Sequence, residues 1–184
     1  MKIMQIFLKD FPNNKKITFS YQSDYYYDIN ITKKPDNKGW IFDWSIKPFP
    51  TTFTKKIEEL LFTSYKENTE YFVVKNEKDE EIGQLAVGKQ QWNNVARIWD
   101  INVEKRYNRQ GIGNKLITLA ETKAREWKCR ALVLECQSSN YPAIQFYLNY
   151  GFSLTGFDLI SYTNQDIKKH EIRLEMSKTL EQES

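Results

Sequence analysis

The stretch "NRQGIGNKLITLA", Asn108 to Ala120, sets two glycines one residue apart in front of a segment with helical spacing. Ile112, Leu116, Leu119, Ala120 and Trp127 fall on one stripe, while Lys115, Thr122 and Arg125 lie mostly away from it, which predicts an amphipathic helix. The glycines have two readings. They let the chain turn out of the preceding strand, "NVARIWDINV", and let the helix pack closely; or they bare consecutive amide N–H groups at the positive end of the helix dipole, as a cradle for a pyrophosphate. Lys105, Arg106, Arg109 and Lys115 surround the loop, and a purely structural turn has no use for them, which favours phosphate. The spacing is neither the GxxxxGK[ST] of a nucleoside triphosphatase nor a completed GxGxxG. The loop follows a strand preceded by a hairpin rather than the first strand of an alternating βαβ series.

Working outward, "EYFVVKN" and "EIGQLAVGK" read as an antiparallel hairpin whose solvated tip is "EKDE". Past the helix, "ALVLEC" reads as a short apolar strand and "YPAIQFYLNY" as a short helix closed by Gly151. "FSLTGFDLISYT" and "KKHEIRLEM" read as two final strands, the second carrying the sole histidine, His170, on its surface. In the aromatic first half, "KITFSYQ", "YYYDINITKK" and "GWIFDWSIK" suit strands or loops around a turn at "PDNKG". "TTFTKKIEELLFTSY" reads as a helix: Phe53, Ile57, Leu60 and Leu61 have helical spacing, with Thr51 or Thr52 as its cap. A strand, helix, strand unit among hairpins implies an α+β fold, a mixed sheet covered by helices.

The 184 residues, with neither linker nor repeat, fit one domain, 1–184. A net charge of +3 with interspersed signs gives no case for nucleic acid. The apolar opening "MKIMQIFLKDF" falls well short of the roughly 20 residues of a membrane span and has no small-residue cleavage site, so a cytoplasmic protein without membrane attachment is expected. Cys129 and Cys136 have the wrong spacing for a zinc knuckle or redox pair and read as buried free thiols. A single histidine leaves no nucleophile-activating dyad, and no metal site is expected.

These segments resemble the GCN5-related N-acetyltransferase (GNAT) superfamily, whose cofactor loop has the form [QR]xxGxG/A. "WDINVEKRYNRQGIGNKLI" is similar to the cofactor strand and helix, and "LVLECQSSNYPAIQFYLNYGF" to the fifth strand and fourth helix, with NxxAxxFYxxxGF running from Asn140 to Phe152. The resemblance covers Glu70 to Met176, a cofactor-binding core of about 70–176. It implies a mostly antiparallel twisted sheet flanked by helices, with a splayed central pair of parallel strands, and acetyl-CoA as co-substrate. One departure is Asn108 at the position usually Gln or Arg, with Arg109 and Gln110 following. A narrower resemblance, carried by "LECQSSN", "FYLNYGF" and "GFDLISY" with Asp158 and Tyr162, is to the streptothricin acetyltransferases of Gram-positive bacteria, which acylate the β-lysine amine of their antibiotic. The N-terminal third matches that group only loosely.

The resemblance implies roles residue by residue. The diphosphate falls to Asn108, Arg109, Gln110, Gly111, Ile112, Gly113 and Asn114, chiefly through their amides, with Arg109 able to stand in for the missing side chain. The pantetheine arm pairs like an added strand with Ile101, Asn102 and Val103, where a backbone N–H can stabilise the oxyanion. Asn140, Ala143 and Tyr147 match the cofactor-contacting positions of the second motif, and Tyr147 the acid that protonates the leaving thiolate. Asn140 also suits an N-cap. The amine must give up a proton; Asp100 is the first candidate acceptor and Glu135, sharing a strand face with Val133 and Gln137, the second. Tyr25 to Tyr27, Trp40, Trp44 and Trp92 could wall a cationic pocket, though strand aromatics are more often core. The expected activity is acetylation of a primary amine on a small cationic acceptor, streptothricin first. A polyamine, another aminoglycoside-type amine, a protein amine, or acyl-CoA sensing without turnover are the alternatives. The chain is expected as monomer or homodimer.

Overall fold

The computed structural model describes residues 1–181. In chain order the elements are β1 (Lys2–Ile6), β2 (Lys16–Lys33), β3 (Trp40–Leu60), β4 (Thr69–Lys75), β5 (Glu81–Gln90), β6 (Val95–Val103), α1 (Ile112–Glu126), β7 (Ala131–Gln137), α2 (Tyr141–Asn149), β8 (Ser153–Asp158), α3 (Asp166–Lys169) and β9 (Arg173–Thr179). They gather into two compact units: Met1–Phe19 with Ile57–Leu134 and the chain from Ser177, and Ser20–Lys56 with Glu135–Met176.

In the first unit the strand order is β1-β4-β5-β6-β7-β9. β4 and β5 are apolar runs, and Tyr71 to Val74 and Leu85 to Val87 are buried whichever face they point to, as central strands covered on both sides require. They pair antiparallel from Thr69↔Gly88 to Lys75↔Glu81, around the turn predicted at the charged tip. There Asp79 takes φ 63° and Asn76 Oδ1 accepts from the Lys78 and Glu80 amides. α1 packs on β5 and β6 through Ile112, Leu116, Ile117, Ala120 and Ala124. Leu119 and Trp127 from the predicted stripe are only half-buried, and Trp127 is the residue that ends the helix. The opposite face carries Ile17, Leu61, Phe62, Tyr71 and Ala86, with Ile6, Phe11, Phe19 and Trp99 packed against them.

β6 positions the site. On one side it pairs antiparallel with β5, with a bulge where Ala86↔Asp100 gives way to Val87↔Ile98, so that Trp99 is an extra residue. On the other side it pairs parallel with β7 from Val95↔Ala131 to Ile98↔Leu134. The parallel register stops there, while the antiparallel one continues to Gly83↔Val103. The expected mixed, mostly antiparallel fold with its central parallel pair is therefore the one observed.

In the second unit the order is β7-β9-β8, and β2 and β3 form a two-stranded ribbon. The "PDNKG" turn joins them, with Asn37 at φ 58° and Lys34 N–H on Gly39 O. The helix expected over "TTFTKKIEELLFTSY" is instead the end of β3. Phe53, Lys55, Ile57 and Glu59 are half-buried while Thr54, Lys56, Glu58 and Leu60 are exposed, a period of two. Thr51, Thr52, Phe53, Thr54 and Ile57 favour extended backbone, and the pairing of β3 with β2 outweighs the coincidence of spacing. Leu61 and Phe62, the most apolar part of that pattern, belong to the buried cluster after the strand has ended. His170 is likewise not on a strand: it ends α3 in the left-handed conformation, φ 57°, and stacks on Tyr26 at 3.9 Å. β9 starts only at Arg173. Both cysteines are buried free thiols, as expected.

Candidate active site

Gly111 is the N-cap of α1 at φ 78°, ψ 2°. Left-handed backbone is what glycine adopts without penalty, and a Cβ there would meet no atom within 4 Å. The turn therefore needs glycine for its backbone angle, and open space lies in front of it. Arg109, two residues earlier, is also left-handed at φ 61°. Lys115 N–H on Gly111 O, 3.1 Å, starts the helix, so the amides of Ile112, Gly113 and Asn114 precede the first helical bond. Such a turn presents main-chain donors at the positive end of a helix and fits a diphosphate. Of the flanking cations, Arg106 is engaged by Glu104 at 2.8 Å and stacked over Tyr107; Arg109 and Lys115 are exposed beside the turn. Asn108 is exposed and bonds its own N–H to Lys105 O, and Gln110 donates to Arg106 O.

Ile101, Asn102 and Val103 keep their pairing to β5 beyond the end of the parallel register, which leaves their other backbone edge without a β7 partner among the described residues. Added-strand pairing needs such an edge. Asn102 Nδ2 donates to Thr18 O at 3.3 Å.

Asp100 is buried at the bulge, directly across from Ala86, which in turn faces Tyr71 and Ile6 along β4 and β1. Lys66, also buried, donates to Asp100 Oδ2 at 2.6 Å and to Leu61 O at 3.3 Å. Burial raises the Asp100 carboxyl well above the usual carboxylate range despite the opposing Lys66 ammonium, and the negative charge of Glu59 adds to the rise. Lys66 and Glu59 escaped the sequence reading because no local spacing relates them to Asp100; a lysine between the exposed Tyr65 and Glu67 carries no signal of burial.

The second unit carries the remaining predicted residues. Asn140 caps α2, its Oδ1 accepting from Ala143 N at 3.3 Å, so the Ala143 amide is engaged inside the helix turn. Tyr147 is buried against Phe146 and Phe152, one turn before Gly151 at φ 97° closes the helix. Burial, then the neighbouring Cys136, raises its phenol well above the usual range, so it stays protonated. Glu135 is exposed and held by Arg173 Nε at 3.0 Å and by the Tyr162 hydroxyl at 3.1 Å. Asp158 accepts the Ile160 amide at 2.9 Å. Of the aromatics weighed for a cationic pocket only Tyr26 is buried; Tyr25, Trp40 and Trp92 are exposed, and Trp92 lies in the turn between β5 and β6. A cavity of about 490 Å³ beside Phe7, Leu8, Phe62 and Tyr71 contains none of the predicted residues. No cluster of metal-ligating side chains occurs among the described residues.

The model of the acetyltransferase (GNAT) family matches residues 3–152. Streptothricin acetyltransferase A of Bacillus subtilis (strain 168) is 26% identical over 168 residues, covering 89% of this chain and 90% of its own. The crystal structure of a nourseothricin acetyltransferase superposes with a TM-score of 0.75 at 26% identity, covering 97% of each chain. A Bacillus anthracis str. Ames protein solved in complex with acetyl coenzyme A superposes with a TM-score of 0.74 at 24% identity, covering 98% of this chain and 97% of that one.

Proposed function

Because the chain belongs to the GNAT acetyltransferase family and is an acetyl-CoA-dependent N-acetyltransferase, we propose that it acetylates a primary amine of a small cationic acceptor of the streptothricin type. The reading is carried by the extent of similarity: nourseothricin acetyltransferase matches along 97% of the chain, so the likeness takes in the β2–β3 ribbon as well as the cofactor core. Among the described residues no helix is long and apolar enough to cross a membrane.

Bound acetyl coenzyme A supplies an activated acetyl group. The residues of the chain divide the remaining work. The amides from Arg109 to Asn114 hold the diphosphate, aided by the side chains of Asn108, Arg109 and Gln110. The free edge of Ile101 to Val103 aligns the pantetheine arm, and Asn140 and Ala143 complete the cofactor contacts. Tyr147, kept protonated by burial, holds a proton at its hydroxyl for the departing thiolate. An amine of pKa about 10 arrives mostly protonated. Asp100 accepts its proton: burial holds its carboxyl well above the usual carboxylate range, which makes it a stronger base than an exposed aspartate. Glu135, tied to Arg173 and Tyr162, is the second candidate and acts by attracting the cation.

A thiol-release assay with acetyl-CoA across streptothricin, a polyamine, an aminoglycoside and a lysine peptide tests the reading. The highest kcat/KM is expected on streptothricin. Preference for the peptide or polyamine would replace the acceptor while leaving the reaction class intact.

A further inference from the structure

Gln84 of β5 is 7% exposed, and its Nε2 has no hydrogen-bond partner. Strand pairing places it directly across from Val73 on β4 and from Asn102 on β6, and Val73 lies across from Met4 on β1. Directly opposed residues share a face. The row Met4, Val73, Gln84, Asn102 therefore sets one amide beside apolar side chains and a second where β6 has lost its pairing to β7. Gln84 lies two residues from Ala86, and Asn102 two from Asp100, so both amides stand on the face of the Ile17, Leu61 and Tyr71 cluster, away from α1. Asn102 is half-buried and its Nδ2 donates to Thr18 O at 3.3 Å, which leaves Oδ1 to accept. A buried donor without a partner costs free energy, and a methionine would fill the space of Gln84 without that cost. Folding therefore does not account for the amide.

We propose that Gln84 and Asn102 form a specificity clamp for a carboxamide carried by the acceptor: Gln84 Nε2–H donates to the carboxamide oxygen, and Asn102 Oδ1 accepts from its N–H. This rests on the amine-acetyltransferase reading above and narrows it to amines that bear an amide. The two side chains start about 5 Å apart at Cβ and offer one donor beside one acceptor, the complement of a carboxamide. An alkyl ammonium has donors alone and leaves Gln84 unpaired. Asn102 stands about 7 Å along β6 from Asp100 on the same face, the length of an extended lysyl side chain. An acceptor whose amine approaches Asp100 thus carries its amide to the clamp. Gln84 turns its nitrogen to the ligand by rotation about the last side-chain bond, a soft torsion that no hydrogen bond of that nitrogen opposes. The clamp touches the substrate away from the reacting atoms, so it sets the preference among amines. A site built to pair a polar group rejects the analogue that lacks it, because its own groups are then left unpaired.

The test pairs lysinamide with cadaverine, the same diamine without the carboxamide, in the thiol-release assay with acetyl-CoA. Wild type is expected to prefer lysinamide in kcat/KM. Gln84→Met should cut that preference about tenfold and raise the urea midpoint, since it removes an unpaired buried donor. Asn102→Ala, at a half-buried position whose backbone pairing is kept, should cut it similarly. Coenzyme affinity by calorimetry is the folding control. Three results overturn the proposal: no preference in wild type, a preference unchanged in either variant, or a lowered urea midpoint in Gln84→Met, which makes Gln84 a structural strut. If neither amine turns over, the acceptor reading fails, and the side-chain amide NMR signals of Gln84 in the wild type still decide the clamp. A shift on adding lysinamide and none with cadaverine supports it, and any other pattern overturns it.

Discussion

At Tyr147 the protonation state follows chiefly from burial. A phenol packed between Phe146 and Phe152, with Cys136 nearby, holds its proton beyond the ordinary value of about 10. The proposed donor role should therefore give no alkaline fall in kcat below about pH 10. Tyr147→Phe keeps the packing and removes the proton, and is expected to lower kcat by about 100-fold with coenzyme affinity retained by calorimetry. Asp100 gives the opposite kind of signal. Its carboxyl is raised from 3.8 to about 7 on folding, so the native state binds its proton more tightly than the unfolded chain. The resulting stability is fully present below about pH 4, its unfolded range, and is lost as pH rises through about 7. Denaturant unfolding at pH 5 and pH 8 should show this slope in wild type and a shallower one in Asp100→Asn. Gly111 is constrained by backbone angle rather than by space. Gly111→Ala should cost about 1–2 kcal/mol of strain in the turn, read as weaker coenzyme binding, and Gly111→Asn should cost less because asparagine tolerates left-handed backbone.

Elements show why some of the chain could be read in advance and some could not. β4, β5, β6, α1, β7 and α2 were legible because each is a long apolar pattern ended by its own punctuation: the Asn76–Glu80 turn, Gly111 before α1, Asn140 before α2 and Gly151 after it. β3 was not. Residues 53, 57, 60 and 61 satisfy a helical period by accident, and what decides the matter is the pairing with β2, a non-local partner that no window of the sequence contains. His170 was misplaced for a similar reason, since α3 is a single turn, too short to leave a periodic signal. Within β5, Gly88 carries a demand that its sequence context also hides. A Cβ there would lie 2.3 Å from Thr69 Oγ1, 3.0 Å from Trp99 Nε1 and 3.1 Å from the Glu67 carbonyl. Two of these belong to strands hydrogen-bonded to β5 on either side, so relief requires β4 or the bulge of β6 to shift. Gly88→Ala is expected to destabilise by about 1–3 kcal/mol, measured by urea unfolding with an unchanged m-value.

At the scale of the whole molecule, the candidate site could be read in the sequence where its residues lie close together along the chain, as in the Gly111 loop and the Asn140–Tyr147 helix. It was illegible where the fold alone assembles it: Lys66 lies 34 positions from Asp100 and meets it only in the folded chain. The same dependence on distant segments governs stability. The chain passes between its two compact units at 19/20, 56/57, 134/135 and 176/177. Every passage falls inside a strand, respectively β2, β3, β7 and β9, and none in a linker. Melting either unit alone would therefore interrupt strands whose chain continues into the other, and neither unit is a contiguous segment with independent ends. A boundary between autonomous domains is built differently, from exposed chain that few contacts cross. We accordingly expect the protein to behave as one domain, with a single calorimetric transition in which van't Hoff and calorimetric enthalpies agree. Acetyl-CoA at about 100 times its Kd should move that transition upward as one peak, by about 2.7 kcal/mol of added stability. Two transitions, only one of them responding to the coenzyme, would show that the strands permit independent melting and would reverse this expectation.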